Sequence, residues 1–280
     1  MKIALYCKHW GLIRLMYDVL KNHDVRLQES WDGHPTWRGD EDIIISTFAY
    51  TDLPDYKGDK PLIIYATDPV PHFVKDDFIR LQSEKWVTMV LAENCYPQEI
   101  CPIIKPFTEI PFAIRQDRLA PYTGEINKVL VVNRKPERRW EEVSRGATGL
   151  AVPFDELFKD IPYEISRFEP IEEYYDKLGK YKVMFYFSNS PYTIVMFEGM
   201  TIGMPMVGYN HFHTSSSSPI EKYLPNYEID IDKIREMCYN ELNKPAEKVA
   251  YNIPAFDETV NQWDKIIAES INNYAILRTS

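Results

Sequence analysis

The chain has 280 residues, 45% of them hydrophobic and 14% aromatic, enough to bury a sizeable core and too much for a disordered chain. Its formal net charge of −10 argues against a broad electrostatic grip on nucleic acid or anionic lipid. No stretch approaches the roughly eighteen apolar residues of a membrane span, and the opening Met-Lys-Ile-Ala-Leu-Tyr, followed by Cys7, Lys8 and His9, has too short an apolar run for a signal peptide, so a cytoplasmic location is expected.

Residues 2–7 form a short apolar run, followed by a turn at His9-Trp10-Gly11. Leu12, Leu15, Met16, Val19 and Leu20 then recur at helical spacing, and Val25-Arg26-Leu27 reads as the next strand. Ile43-Ile44-Ile45 and Leu62-Ile63-Ile64-Tyr65 are further strands, a helix is expected over 73–85, and Val87–Leu91 follows as a strand. Continuous β-branched runs separated by helices predict a parallel sheet covered on both faces. The segment 101–121 carries Pro102, Pro106, Pro111 and Pro121 and reads as extended connecting chain, with a domain boundary near residue 121. A second series then begins: strands over 128–132, 163–165, 183–187 and from 205, with helices over 138–144, 171–178 (opened by Pro170) and 194–200. In the tail from Glu258 to Leu277, Val260, Trp263, Ile266, Ile267 and Ile271 lie on one helical stripe. The expected organisation is a first α/β domain over 1–121, a second over 122–257, and a final helix over 258–280.

Four cysteines form no Cys-x-x-Cys pair and read as free thiols. His211-x-His213 has no evident third metal ligand and reads as a loop pair. Neither a Gly-x-Ser-x-Gly elbow nor a Walker loop is present.

The informative stretch runs from Tyr186 to Val207. It is a buried strand, a polar loop, a helix, a Gly-x-Pro turn and another strand. A polar loop at a strand's carboxyl end, feeding a helix N-terminus, offers unpaired backbone N–H groups to an anion. Glu198, one turn into that helix, can accept from two adjacent hydroxyls of a sugar. Arg134, Lys135, Arg138 and Arg139 fall within six positions after the strand ending near Val132. On an acidic chain they suit a discrete anion site; a solvated helix start with ordinary surface arginines fits them as well.

This stretch resembles the retaining GT-B glycosyltransferases of the family 4-like group. Their pattern is a first Glu, seven residues, a second Glu followed by Ala-Met, and Gly-x-Pro-Val. Glu198-Gly199-Met200 matches the second Glu and its Met, Gly203-Met204-Pro205-Met206-Val207 matches the turn, and Ser190 stands where the family has its first Glu. The resemblance implies two Rossmann-like domains with a cleft between them and a C-terminal helix crossing back to the first. It implies a nucleotide-sugar donor such as UDP-glucose, with no metal or other cofactor. Thr193 and Ile194 would offer backbone N–H groups to the diphosphate, Glu198 would hold the ribose, and Ser190 would lie near the transferred sugar. The family also places a Gly-Arg, and a Lys five residues after the Arg, behind the first strand of the second domain. Here Asn133-Arg134 and Arg139 occupy those places, where the two arginines would meet the charge growing on the leaving diphosphate.

Gly11 corresponds to a glycine near the donor phosphates, and a plain turn explains it equally well. Asp68 and His72 follow the strand ending at Ala66, where the family carries a polar residue near the sugar; both also read as turn or helix caps. Phe168 stands where the nucleotide base packs, or is a core aromatic.

The function implied is transfer of a sugar from a UDP- or GDP-sugar, with retention, to a glycan, lipid-linked sugar, small molecule or modified DNA base. An inactive nucleotide- or sugar-binding protein of the same fold is the alternative that Ser190 motivates. An epimerase of the same superfold is a third, for which acidic and histidine residues flanking the sugar cannot be placed.

Overall fold

A computed structural model describes residues 1–7, 10–28, 39–47, 58–67, 75–91, 103–133, 154–167, 171–186, 194–209, 227–228 and 230–280. The chain divides into two compact units, Met1–Ala113 with Pro254–Ser280, and Ile114–Ile253.

The first unit holds β1 (Lys2–Tyr6), α1 (Trp10–Val19), β2 (Asp24–Leu27), β3 (Ile43–Ser46), β4 (Leu62–Ala66), α2 (Lys75–Ser83), β5 (Val87–Leu91) and β6 (Phe107–Glu109). The strands form one sheet in the order β2-β1-β3-β4-β5-β6, every pair parallel. β3 and β4 are buried along their whole length, as continuous apolar runs demand when both faces are covered. On one face Ala4, Ile44, Leu62, Ile64 and Met89 pack with Phe78 of α2. Side chains alternate along a strand, so Tyr65 points to the other face. There its ring meets Trp263 edge-on, centroids 5.0 Å apart at 90°.

Trp263 belongs to the C-terminal helix, Phe256–Thr279, which thus returns to the first sheet. Val260, Trp263, Ile266 and Ile267 form its buried stripe, and Trp263 is 0% exposed. Polar contacts fix its register. Asp264 accepts from Asn22 Nδ2 (2.8 Å) and pairs with His23 Nε2 (2.7 Å), and Ser270 Oγ donates to Thr88 Oγ1 (2.8 Å).

The second unit holds β7 (Ile126–Asn133), α3 (Phe154–Leu157), β8 (Tyr163–Arg167), α4 (Ile171–Leu178), β9 (Tyr181–Tyr186), α5 (Ile194–Thr201), β10 (Met206–Tyr209), β11 (Tyr227–Glu228) and α6 (Ile231–Asn243). The C-terminal helix is therefore α7. Its sheet runs β11-β10-β9-β7-β8, again all parallel. Val129, Val131, Val183, Phe185 and Val207 pack on one face against Phe154 and Phe158 and against Ile234, Cys238 and Leu242 of α6. Met184 alternates to the other face, where α5 lies. A Cβ on Gly199 would stand 3.2 Å from both Met184 Cε and Met206 Sδ, so glycine there lets the helix lie close on the sheet.

The Gly-x-Pro turn has a plain structural reason. Gly203, at φ +76, ends α5 in a left-handed conformation. Gly203 N donates to Met200 O and Met204 N to Gly199 O, both at 3.0 Å. Pro205 O then accepts from Met184 N (2.9 Å), which sets β10 beside β9.

Three features differ from the sequence reading. The segment read as extended chain over 101–121 contains β6 and a 3-10 turn at Gln116–Arg118. β6 is a three-residue exposed edge strand between Pro106 and Pro111, and an edge tolerates flanking prolines that a central strand would not. Residues around 121 already bind within the second unit: Ala120 N donates to Tyr175 O (3.3 Å), and Thr123 N (2.7 Å) and Gly124 N (3.1 Å) both donate to Gly179 O. Helix α6, which no sequence element anticipated, is capped by Asp230, whose carboxylate accepts from the backbone N–H groups of Asp232 and Lys233.

Candidate functional site

In a parallel sheet all carboxyl ends lie along one edge, where open α/β folds bind ligands. In the second unit that edge is formed by the ends of β7, β8, β9 and β10, with Asn133 in register with Arg167 and Val131 with Phe185. Arg134 follows β7 directly, Phe168 follows β8, and Ser190 and Thr193 belong to the connection between β9 and α5. These four, together with Arg139, Asp68 and His72, lie outside the described residues, as do His211 and His213.

Three predicted residues are described. Ile194 is the first residue of α5 and is buried. Glu198 sits one turn further and is 3% exposed. Gly11, expected in a turn, falls instead at the second residue of α1, because the helix already begins at Trp10. It belongs to the first unit, Glu198 to the second.

α5 is buried on every side from Ile194 to Met200, so a carboxylate within it must be matched by donors. Two adjacent tyrosines of α4 provide them. Tyr174 Oη donates to Glu198 Oε2 (3.0 Å) and Tyr175 Oη donates to Oε1 (3.1 Å). Tyr174 is buried and Tyr175 half-buried, their ring centroids 5.6 Å apart. The arrangement fixes the Glu198 carboxyl in place at the start of α5. The sequence reading missed both tyrosines. The available signal was a Tyr-Tyr pair on a helix preceding the Glu-bearing one.

Cys238 is no nucleophile at neutral pH: burial, with Glu241 nearby, pushes its thiol up to about 12. No group of three or more His, Cys, Asp and Glu side chains placed to hold a metal ion occurs among the described residues. Among them, too, no helix is long and apolar enough to cross a membrane.

The carboxyl edge of the first sheet is lined by small polar side chains. Ser46, Thr47 and Thr67 are buried at the ends of β3 and β4, and Thr47 N donates to Tyr6 O (3.0 Å).

No family model matches the sequence, and no curated protein does. Solved structures do match in shape. One is a mutant of S. aureus TarM in complex with fondaparinux, α-GlcNAc-glycerol and UDP. It is 9% identical, matched over 83% of this chain and 55% of its own, with TM-score 0.51. Another is a mutant O-GlcNAc transferase of Thermobaculum terrenum, 11% identical over 100% of this chain and 66% of its own, with TM-score 0.47. The chain thus spans about half the length of TarM. The fold is of the GT-B type, with two parallel α/β sheets and a C-terminal helix returning to the first.

Proposed function

We propose that the chain is a glycosyltransferase that takes a hexosyl group from a UDP- or GDP-sugar and transfers it with retention. The observation that carries the proposal is Glu198. It is a carboxylate held rigid by two tyrosines, one turn into a helix that starts at the carboxyl edge of a parallel sheet. The fold shared with TarM, whose structure holds UDP, supports the same reading.

In this reading Glu198 accepts from the ribose hydroxyls, and the backbone N–H groups of Thr193 and Ile194 meet the diphosphate. Phe168 packs on the base, Ser190 faces the transferred sugar, and Gly11, Asp68 and His72 complete the phosphate and sugar contacts. Arg134 and Arg139 stabilise the leaving diphosphate as its charge grows. The acceptor attacks on the face from which the leaving group departs, so no protein nucleophile is required. The acceptor is a glycan, lipid-linked sugar, small molecule or modified base.

A second reading is a nucleotide- or sugar-binding protein without transfer activity. Ser190 in place of a glutamate favours it, as do the tyrosine contacts already made by both oxygens of Glu198. Mass spectrometry of nucleotide co-purifying with the protein, followed by assays of UDP or GDP release from a panel of donors, decides between them. Release supports the transferase, binding without release supports the second reading, and absence of both overturns the two together.

A further inference from the structure

A cavity of about 680 Å³ opens at the opposite end of the first sheet from its carboxyl edge. Trp86 directly precedes β5 and Asp59 lies just before β4, so the cavity sits at the strands' amino ends; the end of α2 with Glu84 and Lys85, and the last turns of α7, form the rest of its wall. Its volume falls within the roughly 300–1,000 Å³ of small-molecule sites.

The wall is built around two aromatic side chains joined through one glycine. Gly58 has φ +72, and a Cβ there would lie 3.0 Å from Trp86 Cε2 and Cζ2, so its backbone lies directly against the indole. The carbonyl of the same glycine accepts from Tyr274 Oη (2.8 Å). Arg278 lies over the Tyr274 ring, 5.9 Å from its centroid. Four charged residues border these rings: Asp59 and Glu84 against Lys85 and Arg278, two of each sign.

We propose that this cavity binds a neutral saccharide. Aromatic faces accept the apolar C–H face of a pyranose ring. Carboxylates accept from its hydroxyls, and the cationic groups donate to them. The balanced charge of the wall disfavours a ligand of either sign. The cavity is lined wholly by residues of the first unit, and the proposal does not rest on transfer activity.

The test is calorimetric and fluorescence titration of the full chain with maltotriose, cellotriose and chitotriose, and with inorganic phosphate and spermine as charged probes. At least one trisaccharide is expected to saturate at millimolar or tighter affinity. That affinity should fall about tenfold, or about 1.4 kcal/mol, in Trp86→Phe and in Asp59→Ala, and stay unchanged in Glu198→Gln. Asp59 is exposed, so Asp59→Ala decides alone if Trp86→Phe does not fold. Three results each overturn the proposal: no saturation by any trisaccharide at millimolar concentration, equal affinity in the folded cavity variants, or saturation by phosphate or spermine only.

Discussion

Both units must cover two faces of a parallel sheet, and they take the covering chain from different places. The second unit is continuous: α3 to α6 all come from Ile114–Ile253, and residues 120–126 close back on the turn at Gly179-Lys180. A Cβ on Gly179 would stand 2.6 Å from Pro121 O, so that closure depends on glycine. The first unit takes part of its cover from α7, at the far end of the chain. The core around Tyr65 is therefore complete only after the whole second unit has been made, whereas the second unit can form its core without α7. The stability of the first unit should accordingly hang on a few α7 residues, while the donor chemistry proposed for the second should be insensitive to them.

The largest expected effect tests that dependence. Trp263→Ala removes the largest fully buried side chain among the described residues and should cost about 3–5 kcal/mol. Hydrogen exchange read by mass spectrometry should show protection lost from β1, β3, β4 and β5 and kept in β7, β9 and β10. Equal loss in both units would break the comparison, since the two would then unfold as one.

Next comes the charge placed by sequence behind β7. Arg134→Ala and Arg139→Ala should each raise the transfer barrier by about 2.7–4 kcal/mol, by analogy with loss of an oxyanion donor. That is on the order of a hundredfold or more in turnover at saturating donor. Arg139→Lys should be milder because the charge survives. Thermal melts should be unchanged in all three. Near-wild-type turnover in both alanine variants would assign the cluster to solvated surface.

A smaller effect is expected at Glu198. Glu198→Gln replaces one acceptor oxygen with an NH₂ donor, and the facing tyrosine hydroxyl must turn to accept from it. The sequence alone suggests a change in donor binding with little effect on stability. The burial of the carboxylate between two tyrosines adds a stability loss of about 1 kcal/mol. Calorimetry with UDP and GDP measures the first effect and denaturant melts the second. If the melts shift and no nucleotide affinity changes, Glu198 is a structural carboxylate and leaves the site.

Legibility differed between the units for physical reasons. Runs such as Ile43-Ile44-Ile45 and Leu62-Ile63-Ile64 are apolar because both faces are covered, and they stand out without any partner being known. The helix over 171–178 and the α7 stripe through Trp263 were equally plain. β6 has no such signal: three exposed residues between prolines are a strand only because β5 offers an edge. Helix α6 does carry one, with Asp230 as cap and Ile234, Cys238 and Leu242 spaced along one face, but set among charged neighbours. The link from Tyr174 and Tyr175 to Glu198 joins two helices through tertiary packing, which no local spacing encodes.

The smallest effect concerns the outer strand of the second sheet, where Glu164 of β8 ties three strands together. Tyr181 Oη of β9 donates to its Oε1 (2.6 Å) and Lys128 Nζ of β7 to its Oε2 (3.0 Å). The tyrosine hydrogen bond first, and the lysine second, hold the carboxyl below the usual carboxylate range. Burial, with the same carboxylate as acceptor, pushes the Tyr181 phenol up. A carboxylate whose folded pKa is depressed stabilises the fold above its unfolded value of about 4.3, and that contribution fades as pH falls through the folded value. The phenol, being raised, contributes below its unfolded value of about 10 and is lost as pH rises through the folded one. Glu164 and Lys128 are each nearly half exposed, so solvent screens the pair and its contribution should not exceed about 1 kcal/mol. Glu164→Gln should therefore melt slightly below the wild type at pH 7 and in low salt. The gap should close in high salt, and also as the pH drops below the folded value of the carboxyl. A gap that persists unchanged in acid would show that Glu164 acts through packing and not through its charge.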